Sequence, residues 1–303
     1  MLGYIFWRLI KLVLTAFVVL TLVFIAFRLV PGDPAQLIAG QQTQEDVERV
    51  REYLGLSDPI HIQYLRYING ILHGSLGVSA IYMEDVAKVI FSRIPATLLL
   101  LGVSILITIV VGITIGVISA VRHNSLYDYA TVFFVVAALS IPNFWLGLLM
   151  MNLFSIELRW LPTSGFRGWA SLIMPALAIS ARLIAIVARM TRANMLEVLR
   201  EDYVQVARAK GVREGIVVFK HALRNALIPT VTVIGLQVGY LLGGSVVVEV
   251  LFSWPGIGHL LINAISMRDY AMVQGITVVY VVGFLLVNLG VDILYGFLDP
   301  RIR

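Results

Sequence analysis

"ARAKGVREGIVVFKHALRNALIP", residues 207–229, carries five basic side chains and a single acid, Glu214. Apolar stretches fit to cross a bilayer as a helix lie on both sides of it. What a membrane-bound chain does with its densest basic segment decides how the rest is read. Of 303 residues, 59% are hydrophobic and 14% charged, with a mean hydropathy of +0.90. Soluble domains carry about a quarter charged residues, so this composition points to an integral membrane protein. The formal net charge of +5 suits loops beside anionic lipid better than nucleic acid, because the bases sit next to apolar runs. Cysteine is absent, which excludes disulfides and thiolate metal sites.

Charge-free runs cover residues 12–27, 94–121, 129–156, 225–248 and 270–291, and a sixth run, 171–190, is interrupted by Arg182. Arg8 and Lys11 precede the first run as in a signal peptide. No small-x-small site follows, however, and Arg28 closes the run, so it reads as a retained first span. Residues 250–267 are also uncharged, but "SWPGIGH" holds Pro255, Gly256 and Gly258, which suits an interfacial or re-entrant turn rather than a seventh span. Six spans put both termini on one side. With the termini inside, the inner segments hold 13 Lys/Arg and the outer ones 8, five of these in the 31–95 loop where the charge rule is weakest. The expected fold is therefore an all-α membrane protein with six transmembrane helices, N-in and C-in. Its expected parts are 1–30, the N-terminal segment and first helix; 31–93, extracytoplasmic; and 94–303, a core of five helices that includes an inner loop at 191–228. In the outer part, "PGDPA" at 31–35 reads as a turn. "QTQEDVERVREYLGL" spaces Val47, Val50 and Leu54 at helical intervals, as in a helix lying on the membrane or on its own protein.

The inner loop has a pattern of its own. "NMLEVLREDYVQVARAKG" has few helix breakers, Gly211 supplies a stop, and "IVVFKHALRNAL" reads as a second helix that Pro229 closes at the membrane. Ala207, Ala209 and Gly211 are small enough to let another protein approach the bend. A loop that only enforced topology beside lipid headgroups would explain the charge but not this helix–Gly–helix order.

The loop resembles the cytoplasmic coupling loop of ABC-importer permeases, in the form found in the peptide/nickel-type family. The general pattern is E-A-A, three residues, Gly, nine residues, I-x-L-P. Gln205, Val206 and Ala207 stand where E-A-A would, followed by Gly211; the acid is missing and Pro229 comes later than that pattern puts it. "ARAKG" and "HALRNALIP" are similar to the peptide-family version. "PGDPAQLIAG", "RIPATLLL", "LPTSGFRGW", "MTRANMLEVLREDY", "FSWPGIG", "RDYAMVQG" and "LDPRIR" occur in that family's order along the chain. The resemblance implies a type I ABC-importer permease fold in a bacterial-type inner membrane, forming by alternating access one half of a path shared with a second, homologous permease. It also implies two cytoplasmic ATPase subunits carrying ATP and Mg, an extracytoplasmic solute-binding protein, and no cofactor in this chain and no nucleic-acid partner. By the same resemblance Asp202, Gln205, Val206, Ala207, Ala209, Gly211, His221 and Asn225 would meet the ATPase. The implied solute is a di- or oligopeptide or glutathione. A nickel or metal-chelate permease is the alternative. An ATP-independent carrier is a further rival, poorly suited to six spans without a detectable inverted repeat.

Polar residues at membrane depth face protein or water rather than lipid. Arg182, Asn143, Asn152, Gln237, Glu249, Asn288 and Asp292 are such residues, and Ser140, Pro142, Asn143, Gln237 and Glu249 are candidates for the path or its gate. Glu249 would close an outer gate or meet the binding protein, or else pair with a base such as Arg268 or Arg182. Asn288 and Asp292 stand one helical turn apart near the inner end, which suits packing or topology. Pro142 should kink the third span, as a gating joint or simply as shape. Gly235, Gly239, Gly243 and Gly244 give the fifth span a small-residue face for a close crossing, within the chain or with a partner. Trp7, Tyr129 and Trp160 read as interfacial anchors. The sequence contains no H-E-x-x-H, G-x-S-x-G or phosphate-binding G-x-x-x-x-G-K-[ST] motif, so the chain is expected to be no enzyme and to draw its energy from a partner.

Overall fold

Lipid offers no hydrogen-bond partners, so a chain this apolar must satisfy its backbone internally. In the computed structural model, which describes residues 2–29, 35–36, 43–53 and 55–298, every regular element is helical, apart from an isolated bridge between Val78 and Asp85. In chain order the helices are α1 (Leu2–Leu29), α2 (Gln44–Tyr53), α3 (Ile60–Leu72), α4 (Val86–Val121) and α5 (Leu126–Ser140). Then come α6 (Asn143–Met150, continued by a π-helical stretch Met151–Glu157), α7 (Ala170–Val198) and α8 (Asp202–Ala209). The last are α9 (Glu214–Leu251), α10 (Ile257–Ser266) and α11 (Tyr270–Leu298). Five of them, α1, α4, α7, α9 and α11, are long and apolar enough to cross a membrane, and α5 with α6, taken as one broken span, makes six.

Three expectations change. Pro142 does more than kink the third span: α5 and α6 meet at 105°. Proline lacks an N–H and drives the residue before it out of the helical region, and Ile141 is indeed extended, with φ −92° and ψ 123°. Pro229 does not close a second inner helix. It lies inside α9, which runs unbroken from Glu214 and includes a π-helical stretch at Val217–Ala222. Burial of Ala226 and Thr230 on that helix outweighs the one bond the proline removes. The segment after α9 is a turn, as expected, but it leads into the ten-residue helix α10, too short to span. The amphipathic helix expected in the outer part is α2, opened by Thr43, whose hydroxyl donates to Asp46 at 2.7 Å. Helix α3 was not anticipated. Residues 31–34 of the expected turn, Leu54 and residues 299–303 of "LDPRIR" lie outside the described residues.

The chain forms two compact units, one of Leu2–Ala96 with Gly256–Leu286, the other of Thr97–Pro255 with the residues from Val287 on. In the first, Val86, Ile90, Leu260, Met272 and Ile276 make a buried core. Gly275 is needed there, since a Cβ on it would come within 2.5 Å of Val86. Asp269, buried, accepts from the Ser79 hydroxyl and from the Met272 amide at the start of α11. Phe24 of α1 packs on Tyr64 and Tyr67 of α3, and burial pushes the Tyr67 phenol up to about 12. The outward residues of α1, among them Trp7, Val13, Leu14 and Phe17, are exposed in the isolated chain, as a lipid-facing helix requires.

In the second unit α7 is the central helix, packing against α5, α6 and α9. Two glycines of α4 make close approaches to α7. A Cβ on Gly112 would stand 2.9 Å from Val187, and one on Gly116 2.6 Å from Thr191, whereas Gly243 and Gly244 meet nothing within 4 Å. Replacing Gly116 by Leu should therefore lower the unfolding temperature in detergent, since overpacking costs about 1–3 kcal/mol. Gly102→Leu, where a Cβ meets nothing within 4 Å, should leave that temperature unchanged.

Candidate coupling site

The inner segment folds as a short helix docked on the ends of two long ones. Helix α8 begins at Asp202, whose carboxylate suits the positive end of the helix, and it ends at Ala209, capped by Lys210 just before Gly211. Gly211 has φ +75°, the left-handed region that glycine enters without strain, and it closes the turn with its amide donating to the Arg208 carbonyl at 2.9 Å. Beyond the turn, the Arg208 guanidinium forks onto Glu214, at 2.7 Å from Oε1 and 3.2 Å from Oε2, so the two arms of the bend are tied across it.

Helical spacing sorts α8 into two faces. Val204 and Ala207, three residues apart, are buried against Val217, with Val198, Leu199 and Val212 around them. Asp202, Gln205, Val206 and Ala209 follow the i, i+3, i+4, i+7 pattern and are all exposed, as is Gly211. The expectation that Ala207 faces a partner is thus overturned: it lies on the underside of α8, packed against Val217. Asn225 is exposed but also serves as a tie, donating from Nδ2 to the Tyr203 hydroxyl at 2.7 Å. The His221 carbonyl is 3.5 Å from the same hydroxyl, and its side chain is half-buried. Tyr203, Val206, Ile216 and Phe219 are exposed apolar side chains gathered on this one segment, the kind of surface that a protein partner covers.

The segment is anchored in the spans. Met195 of α7 packs with Val218, Ala222 and Ala226 of α9 and with Val117 and Ala120 of α4. Asn194 donates to the Ala226 carbonyl and to Thr230 Oγ1, each at 3.2 Å. A second anchor was missed in the sequence. Asp128, 2% exposed on α5, receives Arg192 of α7 in a fork, Nε to Oδ1 at 2.6 Å and Nη2 to Oδ2 at 2.8 Å. Ser119 donates to Asp128 Oδ1 at 2.5 Å, the Asn124 amide donates to Oδ2 at 3.0 Å, and the His123 ring lies 3.0 Å away. The local signal was "SLYD", in which Ser125 accepts from the Asp128 amide to open α5; nothing local points to Arg192, 64 residues away.

The path candidates are dispersed. Ser140 is exposed and donates back to the Val136 carbonyl, Pro142 is exposed at the break, and Asn143 and Gln237 are half-buried on α6 and α9. Glu249 is fully buried and accepts from Thr97 at 2.9 Å. Its carboxylate therefore does not reach the surface of the chain, and Arg182, one of the bases expected beside it, is exposed instead.

Residues 112–303 match the family of binding-protein-dependent transport system inner membrane components, and residues 1–101 match its N-terminal part. The chain belongs to that family. Similar permeases include the glutathione transport system permease protein GsiC of Escherichia coli O6:H1, 45% identical over 304 residues and covering 100% of this chain and 99% of that one. GsiC of Pectobacterium atrosepticum is 46% identical over the same shares. Among solved structures, an inward-facing MetNI methionine ABC transporter matches with a TM-score of 0.57 at 20% identity, over 70% of this chain and 97% of that one. An amino acid ABC transporter matches at 0.52 with 15% identity, over 69% and 94%. The fold is that of type I ABC-importer permeases. This permease is a multi-pass inner-membrane transport subunit, of a kind that works with a separate binding protein and an ATPase.

Replacing Arg192 by Ala should destabilise the permease by roughly 3 kcal/mol, because the buried Asp128 carboxylate loses its counter-charge. Removing both charges in Asp128→Ala/Arg192→Ala should recover part of that loss, as read by thermal unfolding in detergent.

Proposed function

We propose that the chain forms, with a second homologous permease, the path of an ATP-driven importer for small peptides of the glutathione class, and that residues 191–228 are the handle its ATPase subunits grip. The observation that carries this reading is the two-faced segment around Gly211. One face of α8 is packed into the ends of α7 and α9, while the other, made of Asp202, Gln205, Val206 and Ala209, is left open beside exposed apolar side chains. Swinging a gate from 1:99 to 99:1 takes about 5.5 kcal/mol of differential binding. A docked helix passes such a bias to the spans, whereas a loose loop would dissipate it in chain entropy. In this reading ATP and its Mg belong to the partner subunits, and the solute is delivered by the binding protein.

The peptide class is supported by full-length similarity to glutathione permeases, which also disfavours the nickel reading. A carrier independent of ATP is disfavoured by membership of a binding-protein-dependent family.

Val206→Asp alters only the open face, since Val206 is 51% exposed, and Gly211→Trp adds bulk at the bend. Both variants should insert in the membrane at parental levels yet fail to co-purify with the ATPase subunits and fail to take up peptide. Parental co-purification and uptake in Val206→Asp would contradict the assignment of this face.

A further inference from the structure

The middle of α7 holds a cation that nothing in the fold explains. Arg182 lies twelve residues into the helix, about 18 Å along its axis from Ala170, in a membrane whose apolar core is about 30 Å thick. It is exposed, and among the described residues no group bonds to it. A guanidinium at that depth is unfavourable against lipid, so its face must meet water, solute or another polypeptide.

The line of residues through Arg182 changes character at that position. Toward the start of α7, Ala178, Pro175 and Ser171 on the same line are buried by the chain's own packing. In the other direction Ile186 is half-buried, and Arg189, Ala193 and Glu197 are exposed. With both termini cytoplasmic, α7 runs inward, so the uncovered half of this face is the inner half. Arg182 stands where the cover ends, and Arg189 follows two turns further in, about 10 Å along the axis. Burial by the chain above and exposure below is what the lining of a path open toward the cytoplasm requires, with Arg182 at its inner limit.

We infer that Arg182 is the carboxylate-binding residue of the translocation path, engaging the anionic end of the solute as it passes, with Arg189 as the next contact inward. This rests on the peptide reading above, since small peptides and glutathione carry free carboxylates. The planar fork of arginine matches a carboxylate with two parallel hydrogen bonds, and a site that binds through one such fork still releases its cargo. An acidic side chain of the second permease is the competing partner, and the test separates the two.

The chain has no cysteine, so Arg182→Cys places a single addressable thiol in this subunit. The full complex, with its binding protein and ATPase subunits, is reconstituted in liposomes and assayed for glutathione uptake, with the parent complex treated identically. Arg182→Cys and Arg182→Gln should assemble and keep binding-protein-stimulated ATP hydrolysis while uptake falls at least about tenfold, the scale of losing one charge-assisted hydrogen-bonded contact. Arg182→Lys, which keeps the charge but not the fork, should recover part of the uptake. Attaching a cationic aminoethyl group to the thiol through a thioether, which the glutathione thiol does not reverse, should restore uptake, and an anionic sulfonatoethyl group attached likewise should not; S-methylglutathione, which has no thiol to consume the reagents, should slow both modifications. Parental uptake in Arg182→Gln, a thiol that neither reagent reaches, or loss of the second permease from the variant complex would each overturn the inference, the last by placing Arg182 in the seam between permeases. A parent complex that moves neither glutathione nor other small peptides would instead sink the peptide reading.

Discussion

The burial of Val204, Ala207 and Val217 against one another is the contact on which this account depends. Without it α8 would be a surface helix on a glycine hinge, free to move without moving anything else. With it, the inner segment and the cytoplasmic ends of α7 and α9 are parts of one packed body, continued by Met195, Ala222 and Ala226 and by the Asn194 bonds. Protein interiors are dense enough to transmit displacement rather than absorb it. The Arg208–Glu214 fork and the Tyr203–Asn225 bond add directional ties at the two ends of the bend, both on the exposed side, where they set geometry more than stability.

Helix α7 links the two roles. At its inner end Arg192 is held by Asp128 and Met195 packs under the coupling segment; at its middle Arg182 looks out of the chain. The tight seats of Gly112 and Gly116 on this helix keep α4 close, so a shift of α7 is passed to α4 rather than lost in a gap. The 105° break at Pro142 gives the third span a different character, two short apolar helices in place of one rod.

Much of this was legible in the residues. Apolar runs marked the spans, basic loops gave the sidedness, and Gly211 marked the bend that its φ of +75° requires. The peptide-family resemblance rested on short strings spread along the chain, and full-length relatives at 45–46% identity agree with it. What stayed hidden depends on tertiary packing. Pro229 reads locally as a helix end, but the packing of Ala226 and Thr230 carries α9 through it. The Asp128–Arg192 pair joins residues far apart in the chain, so each looked like one more inner-loop charge. Ala207 looked like a gap left for a partner, although its three-residue spacing from Val204 already placed both on one face, and nothing local to Glu249 pointed to Thr97 as its hydrogen-bond donor.

The most direct test loosens the packing beneath the coupling helix while leaving its outer face untouched. In a Val204→Ala/Val217→Ala permease, reconstituted with its partners, the quantity to measure is solute imported per ATP hydrolysed. Rigid transmission predicts that the ATPase subunits still dock and hydrolyse ATP while that ratio falls several-fold. An unchanged ratio would mean that force reaches the spans by another route, and the account would be wrong.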